Sequence, residues 1–118
     1  MDRYERNRIL MERIIRLVEE IIELCKKLQK NHINSPLVSQ IVDSAGSVGA
    51  NYSEACEAES YKDFIHKIKI AMKETNETKF FLRLLLKANP EFKDSIIKSG
   101  KEAGELLLIF SKIVAGVR

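Results

Sequence analysis
The residues of this 118-residue chain best suited to chemistry are cations at a regular spacing. Lys62, His66, Lys69, Lys73, Arg83 and Lys87 recur at helical steps. At about 100° per residue they fall on one side of a helix. Asn76 belongs to that side, and Lys79 sits at its edge. Ammonium and guanidinium groups in such a row bind phosphates, each contact releasing counterions. The same pattern also serves merely to keep a helix solvated. Arg3, Arg6, Arg8, Arg13 and Arg16 add charge near the start of the chain. Phe80 and Leu84 lie among the cations. We assign both to contact with a neighbouring subunit, stacking on bases being the alternative.

A second group is polar but uncharged or acidic. Asn51 and Glu54 stand one turn apart, and Glu74, Thr75, Glu77 and Thr78 crowd a later segment. Thr75 and Thr78 fall on an apolar seam, so we expect a structural network that joins two helices and fixes their register. A carboxylate-bridged metal pair needs two Glu-x-x-His motifs and two further glutamates. The chain has two histidines, His32 and His66, and the single pair Asp63-x-x-His66. No metal, no cofactor and no catalytic constellation is therefore expected.

The elements that must position these groups are helices. Asp2 with Glu5, and Ser60 with Asp63, have capping-box spacing. Ser35-Pro36 reads as an N-cap followed by proline at the first helical position. Asn89-Pro90-Glu91 reads as a fourth start. We expect helices over about 2–30, 35–58, 60–88 and 90–116, placed from these caps and the apolar period. The apolar positions are Leu10, Ile14, Leu17, Val18, Ile21, Leu24, Cys25 and Leu28 in the first and Leu37, Ile41, Ala45, Val48, Tyr52 and Ala55 in the second. The third has Phe64, Ile68, Ala71, Leu82 and Leu85, and the fourth Phe92, Ile96, Ala103, Leu107, Phe110 and Val114. No strand pattern appears. Long helices with short connections run antiparallel, which gives an all-α, up-down-up-down four-helix bundle in one domain spanning 1–118. Cys25 and Cys56 then lie roughly 20 Å apart along it, too far for a disulfide.

There is more apolar surface than one bundle uses. Met11, Ile15 and Ile22 form a second stripe on the first helix, Ile70, Phe80, Phe81 and Leu84 on the third, and Leu106, Leu108, Ile109 and Ile113 on the fourth. A globular helix needs an apolar stripe only a little over 100° wide. We expect subunits to pack side by side through these stripes, with Met11, Ile15, Ile22, Phe80 and Leu84 at the contact. Gly46 and Gly49 cost about 1 kcal/mol each relative to alanine inside a helix. With Ala45, Ala50 and Ser53 they leave a smooth face that a neighbour can approach closely.

The run Ser47-Val48-Gly49-Ala50-Asn51-Tyr52-Ser53-Glu54-Ala55 fits the pattern S-(I/V)-x-x-N-x-x-E-(A/G). Asp63-Phe64-Ile65 and Lys73-Glu74-Thr75-Asn76-Glu77-Thr78 follow. Together these segments resemble the bacterial four-helix-bundle proteins of the 23S rRNA intervening-sequence protein family. Ala55 replaces the glycine many relatives have there, which leaves the second helix free to run on towards Cys56 and Ala58. The resemblance implies a homopentameric ring and no enzymatic activity. It also extends to the accessory proteins of diversity-generating retroelements, and so implies a basic ring that binds nucleic acid and a reverse transcriptase.

Net charge is +3, which permits an anionic partner without requiring one. Five such chains in a ring would carry about +15. No apolar run reaches the ~18 residues of a membrane span, and the charged start is unlike a secretory signal. The expectation is a cytoplasmic, non-membrane homo-oligomer. It would hold RNA or DNA by the backbone through Lys62, His66, Lys69, Lys73, Lys79, Arg83 and Lys87. The alternative is a protein–protein scaffold that does not touch nucleic acid.

Overall fold
Asp2 and Ser60 start two of the helices, as their spacing predicts. Asp2 Oδ1 accepts from the Glu5 amide at 2.9 Å, and Ser60 Oγ accepts from the Asp63 amide at 3.0 Å. A computed structural model describes residues 1–116. Its helices are α1 (Arg3–Lys27), α2 (Asn34–Cys56), α3 (Tyr61–Ala88) and α4 (Lys93–Val114). A single 3-10 turn, Pro90–Phe92, leads into α4. The end of the expected fourth helix, to 116, is shortened to Val114.

Two other expected starts are corrected. Ser35 is not the cap of α2. Asn31 Oδ1 accepts from the amides of Ile33 at 3.0 Å and Asn34 at 2.7 Å, so the loop asparagine satisfies the orphan donors and the helix begins at Asn34. Asn89 does not cap the fourth helix either. It closes α3, its amide donating to Leu85 O at 2.8 Å, and Pro90 then opens the 3-10 turn.

Each helix reverses the direction of the one before, giving a bundle of 44 × 23 × 20 Å. The 28 residues of α3 make it the longest element. It packs extensively on α2 and α4, whereas α1 and α4 meet along the lightest of the four seams. The core is apolar and continuous. Ile14, Ile21, Ile41, Ile68, Leu85, Ala103, Leu106 and Phe110 are fully buried. Tyr52 lies beside Phe110 with ring centres 6.0 Å apart. Leu106, assigned by its spacing to an outer stripe, is in this core, and Leu107 is only half-buried. The inward side of α4 follows Ile96, Ser99, Ala103, Leu106 and Phe110, a phase that Ser99 conceals in a purely apolar reading.

The two glycines of α2 differ. A Cβ on Gly49 would meet Ile14 Cγ2 at 3.4 Å, so this glycine lets α1 come close. A Cβ on Gly46 would meet nothing within 4 Å. Among the described residues, no helix is long and apolar enough to cross a membrane.

Candidate nucleic-acid interface
The core seam of α3 runs Ile68, Ala71, Thr75, Thr78, Leu82, Leu85. Its steps of three and four fix the opposite side by the same rhythm. That opposite side is Lys62, His66, Lys69, Lys73, Asn76, Phe80, Arg83 and Lys87, in unbroken steps of four and three. All eight are exposed, and none is acidic. From Lys62 to Lys87 the stripe is about 38 Å long at the helical rise per residue. The α3 cation that does pair is Lys67, off the stripe, whose Nζ lies 2.8 Å from Glu54 Oε1 on α2. Among the described residues no stripe cation takes part in an ion pair. Their charge is directed at solvent. Lys79 is exposed at the edge of the stripe. It leans towards α4, where a Cβ on Gly104 would stand 3.9 Å from its Nζ.

The flank of α3 towards α2 is acidic. Burial pushes the Glu74 carboxyl above its ordinary range, neighbouring Glu77 and then Asp43 push it the same way, and Lys73 opposes them. α2 itself carries no lysine or arginine. The stripe therefore has one negative border, which would keep an anion on the outer face rather than over α2.

The polar network is narrower than expected. The Ser44 and Thr78 hydroxyls lie 3.0 Å apart and buried, and they link α2 to α3. Thr75 donates to Ala71 O at 2.7 Å and Thr78 to Glu74 O at 2.9 Å, both within α3. Asn51 does not reach α3; its Nδ2 donates to Ser47 O at 2.8 Å, one turn back in its own helix. Glu54 crosses to α3, but to Lys67. Among the described residues the Glu74 and Glu77 side chains make no hydrogen bond to α2.

Residues 6–110 match the pattern of the 23S rRNA-intervening sequence protein family. The chain belongs to that family. A crystal structure from Bacteroides thetaiotaomicron, of a protein of unknown function from the S23 ribosomal protein family, has the same fold. Its TM-score is 0.77 at 29% identity, over 89% of this chain and 97% of that one. No curated protein matches the chain.

The run that carries the family resemblance lies in α2, and its roles here are structural. Val48 and Ala55 are buried, Asn51 binds its own helix, and Glu54 pairs with Lys67. With alanine at 55 the helix continues one residue, to Cys56.

The arginines of α1 divide. Arg13 is tied to α4. Its Nη2 lies 2.7 Å from Glu102 Oε1 and 2.9 Å from Glu105 Oε2, and its Nε donates to Glu102 Oε2 at 3.1 Å. This fork holds the Glu102 carboxyl below the usual carboxylate range. Arg3, Arg6, Arg8 and Arg16 are exposed.

Of the expected subunit contacts, Ile15 and Ile22 are each 40% exposed and Phe80 is 56% exposed. Met11 and Leu84 are half-buried. Leu108 is 56% exposed and joins the outer apolar set. His66 is exposed and both cysteines are free thiols. Among the described residues no group of three or more His, Cys, Asp or Glu side chains converges as a metal site would require. Spacing missed Ser44 and Lys67, the partners that join α2 to α3, because a serine beside Ala45 and a lysine outside the cationic row carry no periodic signal.

Proposed function
We propose that this chain is a non-enzymatic, self-associating cytoplasmic protein that holds nucleic acid by its phosphates along the outer face of α3. The observation that carries the reading is the exposed stripe from Lys62 to Lys87, which holds no acid and, among the described residues, makes no ion pair. Unpaired cations in a row gain by releasing phosphate counterions, whereas cations tied to carboxylates gain little. Self-association multiplies the effect, and exposed Ile15, Ile22 and Leu108 supply apolar surface for it. A pentameric ring would set five stripes on one particle. The resemblance to retroelement accessory proteins adds a reverse transcriptase as the protein partner.

The reading is tested by Lys69→Glu with Lys73→Glu. Fluorescence-anisotropy titration with labelled RNA should show binding weakened roughly tenfold or more at low salt. Sedimentation should show the same assembly as the parent protein. Unchanged RNA affinity in the double variant would remove the stripe from the interface. The exposed isoleucines favour a second reading, a scaffold that docks only protein. Partner binding indifferent to salt would select it.

A further inference from the structure
One residue in the cationic stripe is not explained by phosphate binding. Phe80 stands within it, nearer its C-terminal end and 56% exposed, with Lys73 seven residues before it and Lys87 seven after. Asn76 precedes it by four residues and Arg83 follows by three. Single exposed apolar residues are ordinary on protein surfaces. An exposed aromatic ring aligned with a row of unpaired cations is a more specific arrangement, because it combines the two elements of a single-strand platform. The ring is also propped. Phe81, packed against the core, meets it edge to face with centres 5.1 Å apart and planes at 72°. A supported ring loses less side-chain freedom when a base stacks on it.

The stripe is straight, and its shape selects among nucleic acids. A duplex turns once in roughly 34 Å, less than the length of the stripe. Each duplex strand therefore winds away from a straight row and can meet only part of it. A flexible single strand can lie along the whole row. Its bases are unpaired, so one is free to turn onto Phe80, and Asn76 lies one turn away to hydrogen-bond a base or phosphate.

We propose that the α3 stripe is a single-strand binding platform on which Phe80 stacks a base. The proposal rests on the nucleic-acid reading above and adds the class of ligand. It assigns Phe80 to the ligand instead of to a second copy of the chain. Stacking tolerates any base, so sequence preference is weak.

The test uses the full chain with labelled oligo(U), oligo(dT) and a duplex of equal length. The parent protein should bind both single strands more tightly than the duplex. Phe80→Ala should weaken single-strand binding roughly tenfold and leave duplex binding nearly unchanged. Phe80→Trp should restore it. Because the chain has no tryptophan, that variant also supplies a unique fluorophore, which stacking should quench. Equal affinity for duplex and single strand, or a Phe80→Ala variant that binds single strands like the parent, would overturn the platform while leaving the phosphate-binding reading in place. Indole emission of the Phe80→Trp variant that shifts to the blue with protein concentration and is unquenched by oligonucleotide would overturn it in favour of a subunit contact. Absence of binding to all three probes would overturn both readings together.

Discussion

Asn34 and Asn89 face each other at one end of the bundle and exchange their side-chain amides. Asn34 Nδ2 donates to Asn89 Oδ1 at 3.0 Å, and Asn89 Nδ2 donates back to Asn34 Oδ1 at 2.8 Å. The second hydrogen of each goes to a backbone carbonyl, Gln29 O in the loop after α1 at 2.8 Å and Leu85 O of α3 at 3.1 Å. Both residues are buried, at 3% and 4% exposure. This one pair joins the end of α1, the start of α2 and the end of α3. A buried amide left without its partner costs about 1–3 kcal/mol. Asn89→Ala should therefore lower stability by about that much in urea unfolding, while Asn34→Leu with Asn89→Leu should cost less than the sum of the single changes. Strict additivity in the double variant would show that the pair does not act as a unit.

The Ser44–Thr78 contact predicts a smaller effect. The two hydroxyl hydrogens are shared among three contacts, the cross-helix one, Ser44 to Ile41 O and Thr78 to Glu74 O, so when the cross-helix contact is lost its donor turns to its own helix carbonyl and neither group is stranded. Ser44→Ala and Thr78→Val should each cost about 1 kcal/mol, with a coupling energy of a few tenths to about 1 kcal/mol in a double-mutant cycle. Zero coupling would mean the hydroxyls touch without stabilising.

Two carboxylates predict opposite pH effects. Glu102 is held low first of all by its hydrogen bond with Arg13, so its folded pKa lies below its unfolded one. Its contribution is present above the unfolded pKa and lost as pH falls through the folded one. Arg13→Ala should cost about 1 kcal/mol at neutral pH, since the pair is partly solvated, and nothing in strong acid. Glu74 is raised, by burial first and then by Glu77 and Asp43. Its ionised form is disfavoured in the fold, so its favourable contribution exists below the unfolded pKa and disappears as pH rises through the folded one. Glu74→Gln should thus stabilise at neutral pH and be silent in acid. Thermal unfolding of both variants across pH checks the two signs; a destabilised Glu74→Gln at neutral pH would contradict the assignment.

The glycines of α2 give a test of self-association. Gly46→Ala faces open space within the chain and should gain about 1 kcal/mol from helix propensity. Gly49→Ala should gain less, because the new methyl reaches Ile14 Cγ2 at 3.4 Å. If Gly46→Ala instead lowers stability together with the mass measured by sedimentation, a neighbouring subunit covers that face.

Much of the fold is written in local signals. Asp2 and Ser60 each cap a helix through a residue three positions on, a relation visible in any window of four residues. The cationic stripe is equally legible, since surface exposure follows once the core seam of α3 is phased. Leu106 and Leu107 show where that logic weakens. Adjacent leucines differ by about 100° of helix phase, and only the packing partners decide which one is buried. The Asn34–Asn89 pair is out of reach for another reason. Each asparagine reads alone as loop punctuation, and their 55-residue separation is bridged only by the assembled bundle. Asn31 is a different case: its bond to the Asn34 amide is as local as the other two caps, but the adjacent Ser35-Pro36 offers a competing start that masks it.

The central claim, that α3 holds nucleic acid by phosphate contacts, is tested most directly by the salt dependence of binding. The protein would be titrated into a labelled structured RNA at about 50 mM and about 200 mM salt. Around five phosphate contacts predict an affinity that falls by roughly a hundred- to five-hundredfold between the two. No binding at the lower salt, or binding that does not change with salt, would contradict the account and leave the lysines as a solvated face.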